Sequence, residues 1–335
     1  MTIYLIITQS CTCHCSFCIR KSIPNQTEML FNDAITGLVK LSSFYPDATI
    51  ILTGGEPTMH SRFHDILDYA CSHFKRVILN TNGTFNNEIR EKLIPLLNSN
   101  LFLQFSIDGL KPIHDSIRGV GTFDAIIQNI LNLQDFSSKI MLSTTATTNS
   151  IRNIIDLSKL LLKIKFRHWK ISPVHGLDVS SVELIPNDVW NCFVDEILKY
   201  CPFKVIIQKR YDINLMERML YRINKHPELL EALDLNCGTG KTKFYVLPNL
   251  DILPCTCFNT VIGNLKTLTK ADISLKLRKV WDFEIPMNSP CYNCKYKIIC
   301  HGGCIGNSIR KTGLPNMGDY TCPLLSKLSK EQAYQ

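Results

Sequence analysis

No stretch of this 335-residue chain approaches the ~20 consecutive apolar residues that cross a bilayer, so a membrane-spanning protein is not expected. A signal peptide is missing too: the apolar run from Ile3 to Ile7 is too short for one and leads straight into cysteines. There is no internal repeat and no low-complexity tract. Acidic residues are outnumbered by basic ones, 29 against 37, for a net charge of +8. Such a charge can attract nucleic acid or an acidic peptide. The lysines and arginines are scattered, however, and metal-bound thiolates would lower the charge, so nucleic acid is not an expected partner.

Cysteine is what the chain has in excess. Without a secretory signal, fifteen cysteines speak for a reducing cytoplasm and for metal ligation rather than disulfides. At 45% hydrophobic residues the chain can bury a large core, and its length suits one big domain with a smaller appendage.

Short β-branched runs alternate with helical patterns, which predicts βα units and a parallel sheet. Strands are expected at Ile3-Ile7, Thr49-Leu52, Arg76-Asn80, Leu101-Ile107, Ile140-Ala146 and His168-Ser172. Helices are expected at Ala34-Tyr45, Phe63-His73, Glu88-Asn98, Phe123-Phe136 and Ile151-Ile164. Six units are too few for a closed eight-fold barrel, so the expected fold is α/β, an open partial (β/α)6 TIM barrel over residues 1–200. A helical connector over 201–236 and a small cysteine-rich domain over 237–335 follow. Two helices are expected around Trp190-Tyr200 and Leu215-Ile223, the second with Leu215, Met219, Leu220 and Ile223 on one face.

In such folds the loops after the strand C-termini hold the chemistry. Cys11-x3-Cys15-x2-Cys18 follows the first strand, Gly54-Gly55-Glu56-Pro57 the second and Thr81-Asn82-Gly83 the third, while Ser106-Ile107-Asp108-Gly109 ends the fourth. Three thiolates are one short of a full set for a cuboidal 4Fe-4S cluster, which leaves one iron with an open position. Zinc, with His14 as a fourth ligand, is the alternative for the triplet. Cys13 falls outside the spacing and is read as a bystander. Cys71, Cys192 and Cys201 match no motif and are read as small core residues.

The triplet, with Phe17 before its last cysteine, resembles the signature of radical SAM enzymes. The resemblance implies a 4Fe-4S cluster on Cys11, Cys15 and Cys18 whose open iron is chelated by S-adenosylmethionine, and whose reduction yields a 5'-deoxyadenosyl radical. It also implies cofactor contacts from Phe17 and from Gly54, Gly55 and Glu56, with the glycines letting backbone approach the ligand and Glu56 pairing with the methionine ammonium. Ser106 would contact the ribose, Arg118 the methionine carboxylate, and Asn82 would face the same ligand. No catalytic base can be named.

The later cysteines resemble the SPASM domain of radical SAM maturases. That match implies one auxiliary 4Fe-4S cluster on Cys291, Cys294, Cys300 and Cys322, and another on Cys237, Cys255 and Cys304, making three clusters with the first. Cys257 is either the fourth ligand of the second auxiliary cluster or leaves it with an open iron. The open iron is favoured, because in an extended segment the Cα atoms of Cys255 and Cys257 stand about 6 to 7 Å apart. Leu250 stands where the family has glycine, in a Pro248-Asn249-Leu250-Asp251 turn whose left-handed position Asn249 is expected to take.

The resemblance implies oxidative modification, by crosslinking, of a ribosomally made peptide, with maturation of a sulfatase as the alternative; apart from the resemblance, the alternative of another class is a structural metal-binding protein that interacts with nucleic acid. It implies a flavodoxin- or ferredoxin-type electron donor. Because the chain starts at its first strand, leader recognition is expected from the barrel rim, the connector or a separate leader-binding protein.

Overall fold

The computed structural model describes residues 1–18, 28–174, 184–229, 237–258, 260–280, 284–315 and 317–325. The end of the expected connector, 230–236, and the C-terminal 326–335 lie outside the described residues.

The first half alternates strand and helix: β1 (Thr2–Thr8), α1 (Phe31–Phe44), β2 (Thr49–Gly54), α2 (Phe63–His73), β3 (Arg76–Thr81), α3 (Asn87–Leu97) and β4 (Leu101–Ser106). There follow α4 (Lys111–Arg118), α5 (Thr122–Asn132), β5 (Ile140–Ala146), α6 (Ile151–Leu161), β6 (His168–Pro173), α7 (Asn187–Tyr200), β7 (Val205–Ile206) and α8 (Ile213–Lys225). The last third holds β8 (Lys243–Val246), β9 (Asp251–Leu253), β10 (Gly263–Asn264), α9 (Lys270–Lys279), α10 (Lys297–Cys300) and α11 (Ile305–Thr312). No helix among the described residues is long and apolar enough to cross a membrane.

All six expected strands are present. They form the middle of one ten-stranded open sheet in the order β10-β9-β8-β1-β2-β3-β4-β5-β6-β7, parallel from β8 through β7. β8 extends the sheet by pairing in parallel with the free edge of β1, Tyr4 opposite Tyr245, and β9 and β10 add to it antiparallel. The boundary drawn at 237 from the cysteine spacing thus falls inside a continuous sheet.

Side-chain alternation along the strands separates two environments. On β4, Leu101, Leu103 and Phe105 are wholly buried beneath the helices, with the apolar stripe Phe63, Ile66, Leu67 and Ala70 of α2 in the same core. The opposite face, half-buried, carries Phe102, Gln104 and Ser106. On that inner face Ile51, Ile78, Met141, Tyr4 and Phe102 close the bottom. Two residues further along β2, β3 and β4 the lining turns polar: Asn80 donates to Thr53 Oγ1 at 3.2 Å, and Gln104 donates to Asn80 Oδ1 at 3.0 Å. Ser106 lies one step higher, at the rim.

Three local expectations are corrected. Cys192 is exposed on α7 rather than a core residue, while Cys71 and Cys201 do pack against the core. Leu215 is exposed, and α8 buries Met216 with Met219 and Ile223, because the apolar stripe lies one residue later. At the hairpin the left-handed residue is Leu250 itself, with φ of 68°, not Asn249. Asn249 Oδ1 instead accepts the Asp251 N–H at 3.0 Å, and the Leu250 side chain is driven into the core, where an added Cβ at Gly37 would sit 3.0 Å from its Cδ2.

Candidate active site

The loop after β1 is built against the two neighbouring rim loops. Gly55 N–H donates to Thr8 O and Glu56 N–H to Ser10 O, each at 2.7 Å. A Cβ at Gly54, where φ is +146°, would lie 2.1 Å from Thr8 O, and one at Gly55 the same distance from Ser10 O. At this glycine pair the backbone approaches residues 8 to 10 of the chain itself.

Glu56 is 2% exposed, and its carboxylate accepts from Thr58 N–H (3.3 Å), Thr58 Oγ1 (2.9 Å), Thr81 Oγ1 (2.8 Å) and Asn82 N–H (2.7 Å). Three of the donors meet Oε1 and one meets Oε2, so in this structure Glu56 ties the loops after β2 and β3 together. Burial pushes its carboxyl above the usual range, against the pull of those donors.

Asn82 carries the connection on to the cysteines. Its Nδ2 lies 2.9 Å from Thr12 Oγ1, 3.3 Å from Cys13 Sγ and 3.9 Å from Cys11 Sγ, while its Oδ1 accepts from Thr84. Its amide thus holds the loop of the triplet. Cys13, buried, bonds to the thiols of Cys11 and Cys15, a contact that spacing alone did not reveal although the Cys-x-Cys-x-Cys alternation contains it. The Cys13 hydrogen bond and, more weakly, the Arg118 guanidinium lower the pKa of the Cys15 thiol, which favours the thiolate a metal needs. Cys18 N–H donates to Cys15 O at 3.2 Å, so the last cysteine follows in a turn, with Phe17 half-buried beside it.

Arg118 ends α4. Its Nε donates to Asp108 Oδ2 at 2.6 Å, and Asp108 Oδ1 accepts the Thr145 N–H at 2.8 Å. Asp108 N–H in turn donates to Nδ1 of His114, a fully buried ring whose Nε2 meets no partner among the described residues. Burial and the nearby Arg118 push the His114 imidazole down to about 4.

The C-terminal cysteines gather in two places. Cys255 and Cys257 share a turn near Cys237 and Cys304, the last at the start of α11. Cys291, Cys294, Cys300 and Cys322 act on one another's thiols near Gly318, where an added Cβ would stand 2.7 Å from Cys291 Sγ. Between them lies Asp319, 3% exposed, which accepts from Tyr211 O–H, Cys304 N–H, Asn307 Nδ2, Thr321 N–H and Thr321 Oγ1. Sequence reasoning missed it, because its partners come from segments that only the fold brings together. Among the described residues, no three His, Cys, Asp or Glu side chains are grouped to hold a single metal ion.

A sequence model of the Radical SAM superfamily matches residues 5–161, from β1 to the end of α6. Residues 5–161 thus carry the radical SAM sequence pattern. The chain is similar to the antilisterial bacteriocin subtilosin biosynthesis protein AlbA of Bacillus subtilis, 24% identical over 320 residues, covering 89% of this chain and 65% of that protein. It is also similar to Fe-coproporphyrin III synthase of Methanosarcina barkeri, 30% identical over 159 residues, covering 46% of this chain and 39% of that protein. The chain spans less than two thirds of the length of these two relatives. Among solved structures, SuiB of Streptococcus suis bound to its precursor peptide SuiA shares the fold, with a TM-score of 0.74 at 18% identity over 96% of this chain and 75% of that one.

The residues present fit the cofactors of a radical SAM enzyme. Three soft thiol donors stand on one loop at the C-terminal end of the sheet. Beside them Arg118 donates to Asp108 through its Nε, and a guanidinium fork of this kind suits a carboxylate.

Proposed function

We propose that this radical SAM enzyme oxidatively crosslinks side chains of a ribosomally made peptide, with auxiliary iron-sulfur clusters in its C-terminal region. The observation that carries the reading is the pairing of β8 with β1, which puts the segment running from Cys237 to Cys255 on the same sheet as the Cys11-Cys18 loop.

Cys11, Cys15 and Cys18 would hold a 4Fe-4S cluster, and Arg118 and Ser106 would take the carboxylate and ribose of S-adenosylmethionine. Bound there, the pair would supply the radical chemistry that removes one hydrogen atom from the substrate. Forming a crosslink removes a second electron and a proton, and the C-terminal thiols would hold the clusters that accept that electron. Asn82 keeps the cysteine loop in place from the side of β3, and Asp108 aims Arg118. The polar layer of Thr53, Asn80 and Gln104 above an apolar floor gives the barrel interior a wet upper half, in which a peptide side chain can be seated. A flavodoxin- or ferredoxin-type protein would supply the first electron.

The reading is tested by anaerobic reconstitution, reduction and incubation with S-adenosylmethionine and each short peptide encoded beside this gene. The expected product is a peptide lighter by two hydrogen masses per event, with 5'-deoxyadenosine formed in step. Conversion of a sulfatase-derived Cys or Ser peptide to the aldehyde, with every neighbouring peptide left unchanged, would replace it with sulfatase maturation.

A further inference from the structure

We infer that Cys257 is the fourth thiolate of the auxiliary cluster of Cys237, Cys255 and Cys304, so that this cluster has no open iron for substrate. The inference rests on the proposal that the C-terminal cysteines bind iron-sulfur clusters.

The open iron favoured from sequence assumed an extended Cys255-Thr256-Cys257 segment. The chain instead turns there: Phe258 N–H donates to Cys255 O at 3.1 Å, closing a four-residue turn, and Cys255 and Phe258 form an antiparallel bridge. Inside the turn Cys257 N–H donates to Cys255 Sγ at 3.3 Å, and the two thiols hydrogen-bond to each other. Both side chains therefore face one point.

The other two cysteines are tied to the same point by separate contacts. Thr239 Oγ1 lies 3.1 Å from Cys237 Sγ and also bonds the Cys255 thiol, which joins the segment before β8 to the turn. Cys304 caps α11, and two residues later Gly306 lies against the turn: an added Cβ there would be 2.5 Å from Cys257 Cβ and 2.9 Å from Cys257 O. The start of α11 is thus packed directly on Cys257. At 7% exposure the Cys257 thiol is shut off from solvent, bonded to the Cys255 thiol and within electrostatic reach of Cys304 and Cys237. A soft donor in that position is a ligand that water or a substrate group would have to displace.

The consequence is functional. With both auxiliary clusters closed, neither holds the substrate through an iron; they serve in electron transfer, and the peptide is gripped by protein side chains.

The experiment uses the full chain with Cys11, Cys15 and Cys18 all changed to alanine, which removes the open radical cluster. Iron is counted, and the reduced protein is examined by pulsed EPR with carbon-13 cyanide as the probe. Closed clusters predict about eight irons per chain and no carbon-13 coupling. Adding Cys257→Ala should then open one iron and make the coupling appear, or release that cluster's iron. Coupling with Cys257 in place overturns the inference without any substitution at the site. A Cys257→Ala chain that keeps its iron and stays silent to cyanide overturns it as well. A triple-alanine chain that is folded but free of iron overturns both the inference and the cluster assignment beneath it.

Discussion

Arg118 reaches from the last residue of α4 to donate through Nε to Oδ2 of Asp108 at 2.6 Å, and the Asp108 side chain has no exposed surface. Breaking a buried pair from one side leaves the other charge uncompensated, at about 3 to 5 kcal/mol. Asp108→Asn keeps the shape and removes the charge, so the fork of Arg118 loses its aim. We expect S-adenosylmethionine affinity to fall roughly ten- to a hundredfold, the equivalent of about 1.5 to 3 kcal/mol for a hydrogen bond to a charged group. Anaerobic calorimetry measures it, and unchanged affinity in a folded Asp108→Asn protein would remove Arg118 from the cofactor site.

Glu56 gathers four donors from two loops, and glutamine cannot accept on its amide nitrogen. Glu56→Gln sets an NH2 group against at least one of those donors and should cost about 1 to 3 kcal/mol. Because Asn82 N–H is among them, the cysteine loop should loosen in the same variant. Urea unfolding gives the first effect and iron retention at the N-terminal cluster the second. Wild-type values for both would show that the rim does not depend on this carboxylate.

His114 titrates far below its ordinary 6.5, at about 4, because its ring is buried and stands near Arg118. Its Nδ1 accepts from Asp108 N–H, so protonation there would turn acceptor into donor. A depressed folded pKa means that the unfolded chain binds the proton first. Stability from this group is complete above pH 6.5 and is lost as pH falls toward 4, by about 3 kcal/mol in all at about 1.4 kcal/mol per unit. Melting temperature followed from pH 7 down to 4 should drop more steeply in the wild type than in His114→Gln, which still offers an acceptor and does not titrate. Parallel curves would contradict it.

Leu250 holds a left-handed φ of 68° with its side chain wholly buried. Relief of the backbone is worth about 1 to 2 kcal/mol, while deleting a buried leucine side chain costs about 2 to 5 kcal/mol. Packing should win. Leu250→Gly is therefore expected to destabilise by about 1 to 3 kcal/mol, and Leu250→Ala by more, since alanine keeps the strain and loses the packing. Denaturant midpoints of the two variants decide it, and a more stable Leu250→Gly would mean that strain dominates.

Sequence alone determined the six barrel strands and most of the helices between them, though not α4, because burial imposes a period of two on strands and one near 3.6 on helices, and both survive in the order of residues. The strand Ile140–Ala146 and the helix Phe63–His73 lie where the periodicity puts them. The rim motifs were legible for a similar reason: glycine pairs and closely spaced cysteines are local patterns. Tertiary structure alone decided what those residues touch. Glu56 meets donors from 58, 81 and 82, Asn82 reaches Thr12 and Cys13 some seventy positions away, and Asp319 accepts from Tyr211 across 108 residues. Which residue of the Leu250 turn is left-handed, and how Cys255 and Cys257 face, were likewise not local questions. A leucine takes a strained φ when a core on the other side of the chain accepts its side chain, and two thiols converge when a helix from fifty residues further on packs against their turn.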